Sequence, residues 1–341
     1  MQLDKVPSTT ASLNGKEYLY FSGTSYLGVS ALPKFQKLVI KGIQKWGISY
    51  GSSRQANIKL AVYEKGESFL ADFLKTEKAI TVSSGTLAGY FAIKTLSTFV
   101  DVFYFMPKTH PAILPENALP VFENSKLNSS LESIRDKKIS IVLDGIAAFE
   151  TTPFLLGFLK KIDISNTIYL VVDESHSLGV LGDNGNGISE LIPKNENIKI
   201  VITSSLCKAF GVNGGVIAGD LNFINQIKKD KLFIGSAGMS PAFLDVFINA
   251  QEIYKNQLLK LQKNIDYVFN RLKNNPAITI DKLYPVFFHS NEEIEQTLFE
   301  KNILITSFYY ATSTKKNNRV VLNANHTLAQ LNALINSFTE Y

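Results

Sequence analysis

Residues 169–179 read Tyr169-Leu170-Val171-Val172-Asp173-Glu174-Ser175-His176-Ser177-Leu178-Gly179. The apolar run at the start predicts a buried strand, and a carboxylate and an imidazole follow directly after it. Further along the chain a second apolar run, residues 198–202, leads into a turn of small residues that holds Lys208. Lysines normally prefer solvated positions, so a lysine just after the end of a buried strand needs a structural or functional explanation. An amine, a carboxylate and a histidine placed in this way indicate a Schiff-base cofactor site.

Short apolar strands alternate with longer mixed segments between residues 79 and 219. This alternation predicts an α/β fold with a mixed, mainly parallel sheet between helices. Ligands bind such sheets at the carboxyl ends of the strands, where Ser84, Asp144, Asp173 and Lys208 all fall. The predicted strands are Ala79–Val82, Val102–Phe105, Ile139–Leu143, Ile168–Val172, Ile198–Ile202 and Val216–Ala218.

The pattern changes after Gly219, which predicts a domain boundary. A long helical stretch follows, and after it come further strand candidates and a final helix with an apolar stripe. We expect a large cofactor-binding α/β domain at residues 33–220 and a smaller C-terminal α+β domain at residues 221–341. The N-terminal segment, residues 1–32, is expected to pack with the small domain.

Composition argues against several classes of function. The net charge of +5 is spread over 341 residues without a basic tract, so no nucleic-acid partner is expected. Cys207 is the single cysteine and cannot form an internal disulfide, and no ligand spacing suggests a metal. No signal peptide or membrane-spanning run is visible. The expected location is the cytoplasm, with no membrane partner.

The residues at the strand ends match the needs of a pyridoxal 5′-phosphate (PLP) site. Such a site requires a lysine for the aldehyde, an anion beside the pyridine nitrogen, a phosphate cradle and a group against the ring. Lys208 is predicted to form the Schiff base and to act as a base, and Asp173 to keep the pyridine nitrogen protonated. His176 can reach the phenolic oxygen or orient Asp173. The alternative for Asp173 alone is a helix cap.

A phosphate cradle is predicted where the strand at residues 79–82 opens into a helix. Ser84, Gly85 and Thr86 offer hydroxyl groups, backbone amides and room for close approach. Ser205, just before Lys208, can add a further phosphate donor. The alternative is an ordinary capped helix.

Two further residues complete the predicted site. His110 follows the strand Val102–Phe105 and is placed against the pyridine ring, where it can also help to remove a proton; its alternative is a structural histidine. Arg319, in the strand candidate at residues 319–322, can hold a substrate carboxylate with two hydrogen bonds. Its alternative is a surface ion pair.

With these residues in hand, the chain resembles the α-oxoamine synthases, a group of fold-type I PLP-dependent enzymes that includes 8-amino-7-oxononanoate synthase. The resemblance runs through nearly the whole chain in order and is most specific in the central motifs. It is carried by the segments Phe21–Gly28, Tyr50–Arg54, Val172–Gly187, Ser205–Gly215, Phe233–Pro241 and Arg319–Thr327.

The resemblance implies a homodimer in which Ser236 reaches the cofactor phosphate of a neighbouring subunit. It also implies a PLP-dependent acyltransferase that condenses a small amino acid with an acyl-CoA. An aminotransferase, or another PLP-dependent amino-acid-transforming enzyme, remains an alternative on the same scaffold. A second alternative is a PLP-binding protein without turnover, because Ala148 stands where the family commonly has a serine near the cofactor.

Overall fold

The computed structural model describes residues 1–309 and 316–339. The strands are β1 (Thr10–Leu13), β2 (Lys16–Phe21), β3 (Lys78–Val82), β4 (Val102–Phe105), β5 (Leu119–Pro120), β6 (Phe122–Glu123), β7 (Lys126–Leu127), β8 (Lys138–Asp144), β9 (Thr167–Asp173), β10 (Ile198–Ser205), β11 (Gly215–Gly219), β12 (Ile278–Thr279), β13 (Val286–His289), β14 (Ile303–Tyr309) and β15 (Lys316–Val321). The helices are α1 (Pro33–Trp46), α2 (Ala61–Phe73), α3 (Gly85–Leu96), α4 (Ser129–Ser133), α5 (Leu221–Lys228), α6 (Lys231–Gly235), α7 (Pro241–Asn249), α8 (Gln251–Leu272), α9 (Ile294–Glu300) and α10 (Leu328–Thr339).

The chain divides into two compact units. The small unit comprises Met1–Pro33, Phe149–Thr152 and Glu252–Tyr341, and the large unit comprises Lys34–Ala148 and Pro153–Gln251. The boundary predicted after residue 220 is therefore wrong, since residues 221–251 belong to the large unit. The physical reason lies in α5, whose apolar side chains are buried in the same core cluster as those of β3 and β11.

The large unit is built on a seven-stranded sheet with the order β3-β11-β10-β9-β8-β4-β5. Strands β10, β9, β8, β4 and β5 run parallel to one another. Strand β11 is antiparallel to both of its neighbours, β10 and β3. The central strands carry nearly continuous apolar side chains because both of their faces are covered. Because strands β8, β9 and β10 run parallel, their carboxyl ends lie at the same edge of the sheet.

The small unit contains a six-stranded sheet with the order β1-β2-β14-β15-β13-β12. Strand β2 pairs with β14 in parallel, and the other neighbours are antiparallel. The N-terminal strands thus share a sheet with strands that lie near the other end of the sequence. Across the part of the chain that is described, every helix is too short or too polar to cross a membrane.

Candidate active site

The carboxyl ends of β8, β9 and β10 bring the predicted groups together in the large unit. Asp144 is the last residue of β8 and stands opposite Asp173, the last residue of β9, in the parallel register. Strand β10 lies on the other side of β9 and ends at Ser205, three positions before Lys208. A one-residue shift of either register would turn these side chains to the opposite face. The sheet itself therefore assembles the site.

Lys208 and His176 are in direct contact. The Lys208 Nζ atom lies 2.8 Å from Nε2 of His176, and both side chains are half-buried. His176 reaches this position because the chain turns sharply after β9. An amine N–H of Lys208 can donate to Nε2 when that nitrogen carries no proton, so the two groups can exchange a proton directly. The sequence places both residues in one site, and the structure brings them within hydrogen-bond distance.

Asp173 is buried at the end of β9, with 7% of its surface exposed. Its Oδ1 atom accepts a hydrogen bond from the backbone N–H of Ser175 at 2.9 Å. This bond holds the carboxylate rigidly at the sheet edge and also shapes the turn that carries His176. A fixed, buried anion of this kind suits the role predicted for Asp173 beside a pyridine nitrogen.

Asp144 is a functional candidate that sequence reasoning left outside the predicted site. It is 5% exposed, and its Oδ2 atom accepts the backbone N–H of His110 at 2.8 Å. Burial, followed by the charge of Asp173, raises the pKa of Asp144 to about 8. Its position as the last residue of a strand parallel to β9 was the available signal. Asp144 thus holds the backbone of the His110 loop and interacts electrostatically with Asp173.

His110 lies on an exposed turn after β4. Its Nδ1 atom accepts the backbone N–H of Ala112 at 3.1 Å, so a neutral ring carries its proton on Nε2. Its backbone is tied to Asp144, as described above. The ring itself is exposed, which leaves a face for a planar ligand. Its stacking on the pyridine ring remains a prediction.

The predicted phosphate cradle forms at the N-terminus of α3. Ser84 is the N-cap, and its Oγ accepts the N–H of Leu87 at 3.2 Å. The N–H groups of Gly85 and Thr86, which begin the helix, donate to no acceptor within the described residues. A Cβ atom at Gly85 would lie 2.7 Å from the Cβ of Ser205. The structure therefore places the Ser205 side chain directly against this helix start.

The residues present fit PLP. Two amides at a helix N-terminus and the hydroxyls of Ser84, Thr86 and Ser205 form a donor set for a phosphate dianion. The close approach at Gly85 depends on the missing side chain. Together with a lysine amine and a buried carboxylate at the same sheet edge, these groups match the chemical demands of the cofactor.

Ser236 belongs to the large unit and Arg319 to the small unit. Ser236 follows α6, and its hydroxyl donates to the carbonyl of Phe233 at 3.3 Å. Its predicted contact with the phosphate of a neighbouring subunit stays a prediction. Arg319 lies on β15 in the small unit, where its Nη2 atom donates to the hydroxyl of Tyr26 at 3.0 Å.

Glu174 is a second buried carboxyl group that the sequence did not single out. It is fully buried, and its Oε1 atom accepts the N–H of Ile188 at 2.9 Å while Oε2 accepts the Ser177 hydroxyl. Cβ atoms at Gly145 and Gly187 would collide with this carboxyl group. Glu174 thus joins the turn of His176 to Ile188 through hydrogen bonds, and its carboxyl group lies close to Gly145 and Gly187.

Glu174→Gln is expected to change how stability depends on pH. Burial raises the pKa of Glu174 to about 7 from the ordinary 4.5. Between these values the folded protein keeps a proton that the unfolded chain has lost, so the free energy of unfolding falls as the pH rises. Glutamine has nearly the same shape but does not titrate, so the variant should lack this fall, which is on the order of 3 kcal/mol in the native protein.

Urea unfolding at several pH values from 4 to 8 measures this difference. The contribution of Asp144 is present in both proteins and cancels in the comparison. Glu64→Gln, at an exposed position on α2, is the matched control and should follow the native curve. Equal pH dependence in the native protein and in Glu174→Gln would contradict the assignment.

The chain is similar to known proteins along most of its length. The aminotransferase class I and II family matches residues 131–338. The chain is 28% identical to an 8-amino-7-oxononanoate synthase of Petrotoga mobilis, over 98% of this chain and 91% of that protein. It is 26% identical to a serine palmitoyltransferase of Bacteriovorax stolpii, over 83% of this chain and 71% of that protein.

The fold is also shared with solved structures. A serine palmitoyltransferase from S. paucimobilis, solved with a bound PLP–myriocin aldimine, superposes with a TM-score of 0.83 at 20% identity. The likeness covers 99% of this chain and 91% of that one, which confirms the predicted fold-type I architecture. With the family match spanning more than half of the sequence, the chain belongs to the aminotransferase class I and II family and, within it, to the α-oxoamine synthases, which are PLP-dependent transferases.

Proposed function

We propose that this protein is an acyltransferase that uses PLP to condense a small amino acid with an acyl-CoA. The observation that carries the proposal is the contact between Lys208 and His176 at the sheet edge where Asp173 is buried. The likeness to synthases and transferases of one group, along nearly the whole chain, supports it.

We assign each predicted residue a role in this reaction. Ser84, Gly85, Thr86 and Ser205 would hold the phosphate, and Lys208 would hold the aldehyde. When bound, PLP supplies an electron sink for the carbanion formed at the α-carbon of the amino acid.

The protein groups would orient the reactants and move protons. Asp173 would hold a proton on the ring nitrogen through its negative charge. The Lys208 amine would take the α-proton, and His176, which contacts Nζ, can accept or return a proton at Nε2. His110 would cover one face of the ring and exclude water, and Arg319 would bind the substrate carboxylate. The α-carbon of the amino acid would then attack the thioester carbonyl carbon, so that a carbon–carbon bond forms and the carbon–sulfur bond breaks to release CoA as the thiolate.

Amino transfer is the second candidate, because the matching family includes aminotransferases by name. It would use the same lysine, carboxylate and phosphate cradle. The two reactions differ in their second substrate, which is an acyl thioester for the synthase and a keto acid for the aminotransferase. The names of the relatives quoted above favour the synthase.

One experiment separates the two. The PLP-loaded protein is titrated with glycine, alanine and serine while its visible spectrum is recorded, and CoA release is then followed with a series of acyl-CoAs. We expect at least one amino acid to change the spectrum and to support CoA release. Amino transfer to a keto acid without CoA release would overturn the proposal. Heat-treated protein and free PLP are the controls.

The proposal also includes the homodimer that the resemblance implies, with Ser236 directed to the partner's phosphate, and a cytoplasmic location. Sedimentation velocity on the PLP-loaded protein tests the first of these. A monomer at micromolar concentration with full activity would refute the shared site.

A further inference from the structure

The guanidinium group of Arg319 is held by a hydrogen bond to a buried tyrosine of the small unit. Arg319 lies on β15, opposite Phe288 of β13 and Thr306 of β14. Its Nη2 atom donates a hydrogen bond to the hydroxyl of Tyr26 at 3.0 Å. No carboxylate lies within ion-pair distance of Arg319 in residues 1–309 and 316–339. The guanidinium group has five N–H donors in a planar fork, so most of its donors remain available for an anion.

Tyr26 is an unusually fixed partner for this guanidinium. Its side chain is fully buried. The four successive carbonyl groups of residues 25–28 each accept a hydrogen bond. Ser25 accepts from Asn323 Nδ2 at 2.7 Å, and Tyr26 accepts from the N–H of Ala324 at 2.9 Å. Leu27 accepts from Gln257 Nε2 at 2.8 Å, and Gly28 accepts from Asn325 Nδ2 at 2.8 Å. Three of these donors lie on the loop that directly follows β15. The backbone of Tyr26 is therefore tied to the end of the strand that carries Arg319.

Gly28 completes this attachment. Its φ angle is +59°, and a Cβ atom there would lie 2.4 Å from side-chain atoms of Asn323 and Asn325. Both the left-handed conformation and the close approach of the two asparagines require glycine. His326 continues the same loop: its Nδ1 atom accepts the N–H of Asn323 at 2.9 Å, and its Nε2 atom lies 3.0 Å from the carbonyl oxygen of Tyr20. Burial lowers the pKa of His326 to about 4, so the ring is neutral and anchors the loop.

The Tyr26 hydroxyl is also held on its far side. Its oxygen lies 3.4 Å from the hydroxyl oxygen of Tyr284, which is 3% exposed. Burial raises the pKa of Tyr284 well above its ordinary value, so this phenol keeps its proton. The Tyr26 oxygen accepts a hydrogen bond from Arg319, and either of the two phenols can be the donor in the contact between Tyr26 and Tyr284. The Tyr26 hydroxyl therefore lies between the guanidinium group of Arg319 and the hydroxyl of Tyr284.

We propose that Tyr26 is a positioning residue that fixes the guanidinium of Arg319 for recognition of the amino-acid carboxylate. This inference rests on the proposed function, in which Arg319 binds that carboxylate. A flexible arginine loses side-chain entropy when it orders around a ligand, and a pre-ordered one loses less. Tyr26 thus contributes affinity for amino acids without touching the substrate. It should leave the binding of simple amines unaffected.

The test compares ligands with and without a carboxylate. The PLP-loaded protein is titrated with glycine and with methylamine, and with alanine and ethylamine, and the change in visible absorbance gives each dissociation constant. Tyr26→Phe should weaken glycine and alanine roughly tenfold or more, the usual effect of losing a hydrogen bond to a charged group. The dissociation constants of the amines should not change. Tyr104→Phe is the matched control, since Tyr104 is another buried tyrosine, with its hydroxyl 3.0 Å from Ser130 Oγ.

Two further variants sharpen the outcome. In the double variant Tyr26→Phe/Arg319→Lys the losses should not add, because both changes remove one orienting contact. Tyr284→Phe keeps the Tyr26 hydroxyl and should give a smaller loss that is again confined to the carboxylate ligands. If Tyr26→Phe does not fold, the titrations of Tyr284→Phe test the proposal in its place.

Equal weakening of amines and amino acids in Tyr26→Phe would overturn the proposal, as would no weakening at all. An unchanged glycine affinity in Arg319→Lys would also overturn it. CoA release by the native protein is measured separately, so failure of the acyltransferase proposal is recognised independently of these titrations.

Discussion

Lys208→Ala is expected to abolish turnover, with kcat/KM falling by about a thousandfold or more. The side chain has two proposed tasks, to hold the cofactor covalently and to move the substrate proton, and alanine can do neither. The visible absorbance of the lysine-bound cofactor should also disappear. Absorbance spectroscopy and a CoA-release assay on the same preparations measure both effects.

The neighbouring residue provides the control. Cys207 lies in the same turn with an exposed side chain, and Cys207→Ala should retain native absorbance and activity. This comparison distinguishes the effect of losing the Lys208 amine from the effect of disturbing the turn. Activity of Lys208→Ala within tenfold of the native value, or a visible spectrum that survives the substitution, would refute the assignment of Lys208.

Asp173→Asn is expected to lower kcat by roughly 10²–10³-fold, the usual effect of removing one fixed electrostatic contact at a reacting centre. Asparagine keeps an oxygen that can accept the N–H of Ser175, so the turn should survive. What is lost is the negative charge proposed to hold a proton on the ring nitrogen. Steady-state kinetics and circular dichroism together distinguish lost charge from lost structure.

A second readout of Asp173→Asn concerns its neighbour. The charge of Asp173 contributes to the raised pKa of Asp144, so its removal should lower that pKa toward the ordinary value. Difference infrared spectroscopy of the carboxyl groups measures this shift directly. Asp163→Asn is the matched control, because Asp163 accepts the N–H of Ser165 in the same local geometry at a partly exposed site. Equal kinetic losses in the two variants would contradict the proposed role of Asp173.

Much of the large unit is predictable because its strands are continuous apolar runs. Strand β4 has the predicted bounds, and the predicted strands at β8, β9 and β10 lie within the observed ones. Parallel strands end at a common edge, so a residue that follows such a run is placed by topology alone. Asp173 and Lys208 could therefore be assigned to one edge before any distance was known. The predicted fold class and family are confirmed by the comparisons.

Other features depend on contacts that periodicity does not contain. The apolar face of α5 resembles that of any surface helix, and only its packing on the β3–β11 side of the sheet assigns it to the large unit. Glu174 lies next to Asp173 in sequence, yet its role follows from Ser177, Ile188 and two glycines that surround it in space. Tyr26 and Arg319 are far apart in the chain, and no local pattern could pair them. His110 is predicted to contact the cofactor ring, and Ser236 is predicted to contact the cofactor phosphate of a partner subunit. Both roles remain predictions.

The attachment of residues 25–28 to the loop at residues 323–325 has a consequence for synthesis. The hydrogen bond from Asn323 to the carbonyl of Ser25 spans 298 positions. At ordinary translation speeds of about 5–20 residues per second, the N-terminal segment waits roughly 15–60 s for its partners. All of the large unit leaves the ribosome during that interval. The proposed binding site for the amino-acid carboxylate is therefore completed after the residues of the cofactor site, and a stalled chain would carry the cofactor residues without Arg319 and the loop at residues 323–325.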